Sequence, residues 1–191
     1  MSSRGDDNAV QAQLVLIGAP GAGKTRMGKR LARILSVPFI DTDKRIVAEH
    51  GPIAQIFADY GEPYFRELER ETVADALREP AVVALGGGAV LDEQTQAALT
   101  GAPVVQLTVS AEAVAKRISG GKRPLLKDGL ADWTRLVDSR RAIYERLAVR
   151  SWDTSLKPLD DIAAEIAEWL GRDSVARTAA HSRSANREQT Q

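Results

Sequence analysis

Apolar residues along this chain alternate between short unbroken runs and stripes of helical spacing. Leu14-Val15-Leu16-Ile17 and Ala81-Val82-Val83-Ala84-Leu85 are runs of strand length without a polar residue, and Pro103 to Val109, apolar but for Gln106 and Thr108, supplies another strand. Such runs suit parallel strands covered on both faces. After the first, Met27, Leu31, Ile34 and Leu35 recur at helical spacing, which predicts a helix with one buried stripe. The run Val37-Pro38-Phe39-Ile40 ends at Asp41-Thr42-Asp43, and the segment from Lys44 to about Leu77 reads as two or three short helices punctuated by Gly51-Pro52 and Gly61. Ser110 predicts a cap for a helix to about Ile118, and Asp132 a cap for an amphipathic helix through Leu136, Ile143 and Leu147. A last strand near Trp152 leads past Pro158 into a terminal helix ending at Leu170-Gly171. Strands alternating with helical crossovers predict an α/β fold: three layers around a mainly parallel, five-stranded sheet.

Polar and glycine residues gather just past the strands, at the edge where parallel α/β sheets bind ligands. The most specific of them is Gly18 to Thr25, GAPGAGKT, set between a strand and a helix. Its glycines let backbone N–H groups converge on a polyphosphate at a helix N-terminus. Lys24 is then placed to neutralise β/γ-phosphate oxygens, and the Thr25 hydroxyl to hold Mg²⁺. A nucleoside triphosphate is the expected ligand, ATP as co-substrate with Mg²⁺, bound by Gly21, Ala22, Gly23, Lys24, Thr25 and Arg26.

Composition narrows the remaining choices. A chain of 191 residues suits one domain that buries a core without disulfides or structural metal. The 26 Lys+Arg balance 26 Asp+Glu, so no global field favours nucleic acid or an anionic membrane, and anion binding falls to local arginines. The absence of cysteine excludes thiol chemistry and Cys-ligated zinc and fits a reducing compartment. The N-terminus MSSRGDDNAVQAQ has no continuous apolar h-region, and no run approaches the length of a membrane span. A cytoplasmic, monomeric protein without nucleic-acid or membrane partners is expected. Its flexible lead-in covers residues 1–11, its domain 12–171 and its disordered tail 172–191.

Other candidates carry two readings each. Asp41 and Asp43 suit a metal-shell carboxylate and a carboxylate on a substrate hydroxyl, or a helix cap. Arg66 suits a bidentate fork on a substrate carboxylate, oriented by Glu69 one turn on. It suits equally a solvated face paired among Glu62, Glu69 and Arg70. Gly86-Gly87-Gly88 gives up much entropy in a plain turn, so close backbone approach to a ligand explains it better. Arg117 and Arg123 bracket a Gly/Lys/Arg-rich stretch, about 117–129, that reads as a mobile lid. Lys116, Lys122 and Lys127 read as solvated. Arg140 and Tyr144 share a helical face, although Arg140 alone reads as a surface cation. Trp133, Trp152 and Trp169 read as packing residues, and His50 and His181 have no partner at metal or catalytic spacing.

Taken in order, GAPGAGKT, DTD, FRELE, LGGGAV, RPLL and R-x-x-x-Y resemble the shikimate kinase family over about residues 13 to 165. The resemblance implies a P-loop kinase fold with a helical substrate-binding segment, about 41–70, and a lid. It implies transfer of the γ-phosphoryl of ATP to the 3-hydroxyl of shikimate, in the chorismate route to aromatic amino acids. By matching position, it makes Lys24 the phosphate lysine, Thr25 and Asp41 the Mg²⁺ ligands, and Asp43 the group that holds the reacting hydroxyl, as its base or its aligner. Arg66 and Arg140 would grip the substrate carboxylate, with Gly86, Gly87 and Gly88 offering backbone contacts to the ring. Arg123 would be the catalytic lid arginine on ATP and Arg117 the one stacked on adenine. Lys157 falls in the adenine-side stretch Ser155-Leu156-Lys157-Pro158, which lacks the arginine many relatives carry, and Ala142 stands where the family often has proline. The rivals are a kinase of another polyol acid such as gluconate, and a nucleotide-binding module without an acceptor.

Overall fold

The structure, a computed structural model, describes residues 10–119 and 129–172. The expectations for residues 1–9, for the basic stretch 120–128 including Arg123, and for the tail from 173 onward lie outside the described residues. Val10 and Gln11, expected in the lead-in, are tied to the core: Val10 packs on it, and the N–H of Gln11 donates to the Leu77 carbonyl at 2.8 Å.

Strand β1 (Leu14–Ile17) leads into helix α1 (Lys24–Leu35), then strand β2 (Phe39–Asp41) and helices α2 (Thr42–His50) and α3 (Ile53–Leu77). Strand β3 (Val82–Ala84) is followed by a 3₁₀ turn (Ala89–Leu91), helix α4 (Glu93–Ala98), strand β4 (Val104–Thr108) and helix α5 (Ala111–Ser119). Helix α6 (Leu130–Leu147), strand β5 (Arg150–Asp153) and helix α7 (159–172) complete the order. The five strands are all parallel, in the order β2-β3-β1-β4-β5.

Both faces of the sheet are covered, as its apolar runs require. Leu14 and Leu16 of β1 point to the layer of α1 and α7, packing with Met27, Leu31, Ile162 and Ile166. Val15 and Ile17 point the other way, to Val73, Ala76 and Leu77 of α3 and to Tyr144 of α6. The period of two thus sends one strand into two cores, and each fully buried Leu or Ile contributes ~1.5–3 kcal/mol. A satellite cluster of Ile46, Ile56, Phe65 and Leu68 joins α2 to α3 beside the sheet.

One local expectation holds and one is corrected. Gly61, with φ 81° and ψ 171°, breaks the helical path as the sequence predicts, so α2 is followed by two helical pieces of α3 across a kink, with Pro63 just past it. Helix α6 begins at Leu130 behind Gly129; Asp132 therefore lies inside the first turn, paired with Arg135, rather than at the cap. Ser110 does cap α5, its Oγ accepting from the Ala113 N–H at 3.2 Å.

Register brings the polar segments together. Leu16 and Asp41 both pair with Ala84 of β3, so the loop after β1, the acids after β2 and the glycines after β3 leave the sheet at one edge.

Candidate active site

Gly18 turns the chain out of β1 with φ 137°, a conformation that L side chains rarely adopt. A Cβ there would also stand 2.2 Å from the Leu107 carbonyl oxygen of β4. Beyond it the loop wraps the N-terminus of α1, whose first-turn N–H groups have no intrahelical acceptors. Lys24 Nζ donates to the carbonyls of Gly18 at 2.6 Å and Ala19 at 3.2 Å. The next three carbonyls are met from outside the loop: Pro20 by Trp133 Nε1 (2.8 Å), Gly21 by Arg117 Nη1 (2.8 Å) and Ala22 by Thr154 Oγ1 (2.9 Å).

Asp41 serves in both ways the sequence left open. Its Oδ1 accepts from the Lys44 N–H at the start of α2, and its Oδ2 accepts from the Thr25 hydroxyl at 2.7 Å. A hydroxyl and a carboxylate side by side beneath the phosphate loop are hard oxygen donors. Mg²⁺ prefers such donors, with phosphates and water filling its remaining positions. Among the described residues no group of three or more His, Cys, Asp or Glu gathers as a metal cage. Thr42, between the two acids, is fully buried; its hydroxyl accepts from the Gly86 N–H at 3.0 Å and donates to the Ala84 carbonyl at 3.4 Å. The sequence reading gave Thr42 no role, and a threonine between two acids carries no signal that it will brace the glycine turn.

Four charged side chains from three separate segments surround that turn. Cβ atoms added to Gly86 would lie 2.4 Å from Asp43 Oδ1 and 2.8 Å from Glu69 Oε1, and one on Gly88 would lie 2.8 Å from Arg66 Nη1. Arg140 Nη1 and the Tyr144 hydroxyl both donate to the Gly87 carbonyl, at 2.9 and 2.7 Å. Glycine is required because charged heads occupy the space of its side chain. Arg66 also bonds Glu69 Oε2 through Nη1 (2.7 Å) and Glu62 through Nη2 (2.9 Å). The i,i+3 and i,i+4 pairs are thus real, yet the face is not simply solvated, because Glu69 is only 3% exposed. Arg140, which alone reads as a surface cation, is half-buried against the glycines.

Burial pushes the Glu69 carboxyl above the usual glutamate range; the hydrogen bond and charge of Arg66 counter this without cancelling it, Asp43 adds to the rise and Arg140 opposes it. Burial likewise raises the Tyr144 hydroxyl against the nearby charge of Arg140. The cluster therefore holds two acids and two guanidinium groups in a half-desolvated space.

Arg117 of α5 donates to the Gly21 carbonyl and the Thr154 carbonyl, which ties its guanidinium to the outer face of the loop and to the segment after β5. Lys157 pairs with Glu165 of α7, and Arg26 is exposed on the first turn of α1. His50 is exposed next to Glu49. Trp152 and Trp169 stack edge to face at 5.5 Å, as packing residues do. An open depression of about 1070 Å³ at the opposite end of the strands, bordered by α4 and α6, shares no residue with this cluster.

A model of the shikimate kinase family matches residues 20–171. A shikimate kinase of Salinispora arenicola is 46% identical over 160 residues, covering 82% of this chain and 96% of its own. A solved shikimate kinase from Acinetobacter baumannii in complex with shikimate superimposes with TM-score 0.76 at 26% identity, covering 87% of this chain and 96% of its own. A gluconokinase from Sinorhizobium meliloti, with TM-score 0.55 and 22% identity over 91% of this chain and 98% of its own, shares the fold alone.

Proposed function

This chain belongs to the shikimate kinase family, and we propose that the cluster around Gly86–Gly88 is where it phosphorylates the 3-hydroxyl of shikimate. The protein is an ATP-dependent phosphotransferase of the shikimate pathway. The observation that supports the acceptor assignment best is the approach of Arg66 and Arg140, from α3 and α6, to one glycine turn beside Asp43. Two guanidinium groups there suit a carboxylated ring, since charge-assisted forks bind carboxylates strongly and with a fixed plane.

On this reading, the carboxylate exchanges with Glu62, the more exposed of the two acids on Arg66, while buried Glu69 keeps that guanidinium aimed. The ring lies along Gly86, Gly87 and Gly88. Asp43 accepts the proton of the 3-hydroxyl as its oxygen bonds to the γ-phosphorus, and the bond to the β-bridging oxygen breaks to release ADP. The loop residues Gly21, Ala22, Gly23, Lys24, Thr25 and Arg26 hold the phosphates, with Arg117 and Lys157 on the base side and Arg123 completing the set. Thr25 and Asp41 would hold Mg²⁺, which would supply charge neutralisation to the transferring phosphoryl group. Catalysis is then positional and electrostatic, with no covalent enzyme intermediate. We further assign a single kinase domain over 12–171, a monomeric state and a cytoplasmic location. Among the described residues no helix is long and apolar enough to cross a membrane.

The test is initial-rate ADP release with shikimate, with gluconate and with neither. Shikimate-dependent release supports the proposal; release driven by gluconate, or binding of ATP without turnover on either acid, contradicts it.

A further inference from the structure

The phosphate loop's outer carbonyls suggest a role for two residues that neither the motif nor the acceptor cluster uses. A peptide unit is planar, so the carbonyl of one residue and the N–H of the next point in fixed, opposed directions. Holding the Pro20 carbonyl therefore aims the Gly21 N–H, and holding the Ala22 carbonyl aims the Gly23 N–H. Loop glycines have little stiffness of their own. The direction of these donors must come from elsewhere.

Both holders come from far along the chain and are buried. Trp133, 3% exposed in the first turn of α6, donates its indole N–H to the Pro20 carbonyl at 2.8 Å. Its ring packs on Ala19 and Val114, which fixes the direction of that donor. Thr154, 1% exposed just after β5, has its hydroxyl 2.9 Å from the Ala22 carbonyl and 3.0 Å from the Thr108 carbonyl of β4, while Arg117 Nη1 reaches it at 3.4 Å. One hydroxyl, its single proton shared between two carbonyls, thus links the loop to the end of the sheet.

We infer that Trp133 and Thr154 are positioning residues for the nucleotide, acting through the Pro20 and Ala22 carbonyls to turn the loop's N–H groups toward the phosphates. The inference rests on the kinase reading for its ligand, but it can be tested without any acceptor.

In the full chain, the affinity for ADP is measured by calorimetry for Trp133→Phe, Thr154→Val and Thr154→Ser, alongside the thermal midpoint and the KM values for ATP and shikimate. A benzothiophene analogue of tryptophan at 133, which removes the N–H and keeps the shape, provides a second route if the phenylalanine repacks. Loss of one such hydrogen bond should weaken ADP roughly 3- to 10-fold. Trp133→Phe, the analogue and Thr154→Val should show this with the shikimate KM unchanged, and Thr154→Ser should return to the parent. Folded variants that bind ADP within twofold of the parent would overturn the inference. So would equal losses for both substrates with serine no better than valine, which marks a merely structural role. A parent that binds ADP but does not phosphorylate shikimate would refute the acceptor assignment and leave this comparison intact.

Discussion

On the nucleotide side of the cleft the working surface is main chain: six consecutive carbonyls from Gly18 to Gly23 each meet a donor, three of them from side chains on α5, on α6 and after β5. On the proposed acceptor side the working surface is side-chain charge, with Asp43, Glu69, Arg66 and Arg140 pressed around a glycine turn that gives them room and whose Gly87 carbonyl takes Arg140. On the proposed assignment the first surface would recognise phosphate by geometry and should fail when the backbone is forced. The second would recognise by charge and should fail when a head group changes while the backbone stays put.

Gly18→Ala sets the upper limit of the first kind of failure. A strained φ of 137° and a Cβ 2.2 Å from the Leu107 carbonyl should cost ~3 kcal/mol or more, read as a lower denaturation midpoint, with nucleotide affinity lost alongside. Stability close to the parent would mean that the loop yields more easily than this packing implies. The strongest failure of the second kind should be Asp43→Asn: kcat down by about 10²- to 10⁴-fold, with ADP affinity and fold retained. Unchanged turnover would remove Asp43 from the chemistry. Arg66→Lys keeps the charge and loses the fork, so the shikimate KM should rise about 10-fold with the ATP KM unmoved. A defect confined to ATP would erase the division between the two sides.

The smallest effect sharpens the comparison through pH. Burial raises the Glu69 carboxyl in the folded chain, so between its unfolded and folded values the folded state binds more protons. Stability from this group is therefore fully present below the unfolded value, is lost as pH rises through that window, and is level above it. Measured against Glu69→Gln, which has no such titration, the parent should gain relative stability on acidification just above the ordinary glutamate range. A flat difference would show that the ion pair with Arg66 cancels burial, and a reversed one that it dominates; either contradicts the expected rise.

The two sides also differ in how openly the sequence displays them. Gly18 to Thr25 is contiguous, its flanking strand and helix are strongly patterned, and the structure has that order. The parallel sheet was legible for the same reason, since β1 and β3 are unbroken apolar runs buried throughout. The acceptor cluster draws on residues 43, 66, 69, 86 to 88 and 140, and no local pattern ties them together; resemblance grouped them in the sequence, and register and helix packing do so in space. Arg140 shows the limit well. Its spacing to Tyr144 was visible, but a surface cation and a guanidinium on the Gly87 carbonyl look alike until the turn after β3 is seen to meet α6. Trp133 was legible only as packing, because an indole's apolar body dominates the pattern and its single N–H leaves no trace in spacing. The α6 start was misplaced because a Gly129 entry competes with an acid that is equally at home inside the first turn.

The claim at the centre is that a carboxylate, held by arginines from α3 and α6, is what the acceptor side recognises. It is tested most directly by kcat/KM for shikimate against its carboxamide, which is neutral and nearly the same shape. The account predicts a loss of about 30- to 100-fold for the amide, the worth of a charged hydrogen-bond pair, with the ATP KM unchanged. Equal kcat/KM for acid and amide would contradict it.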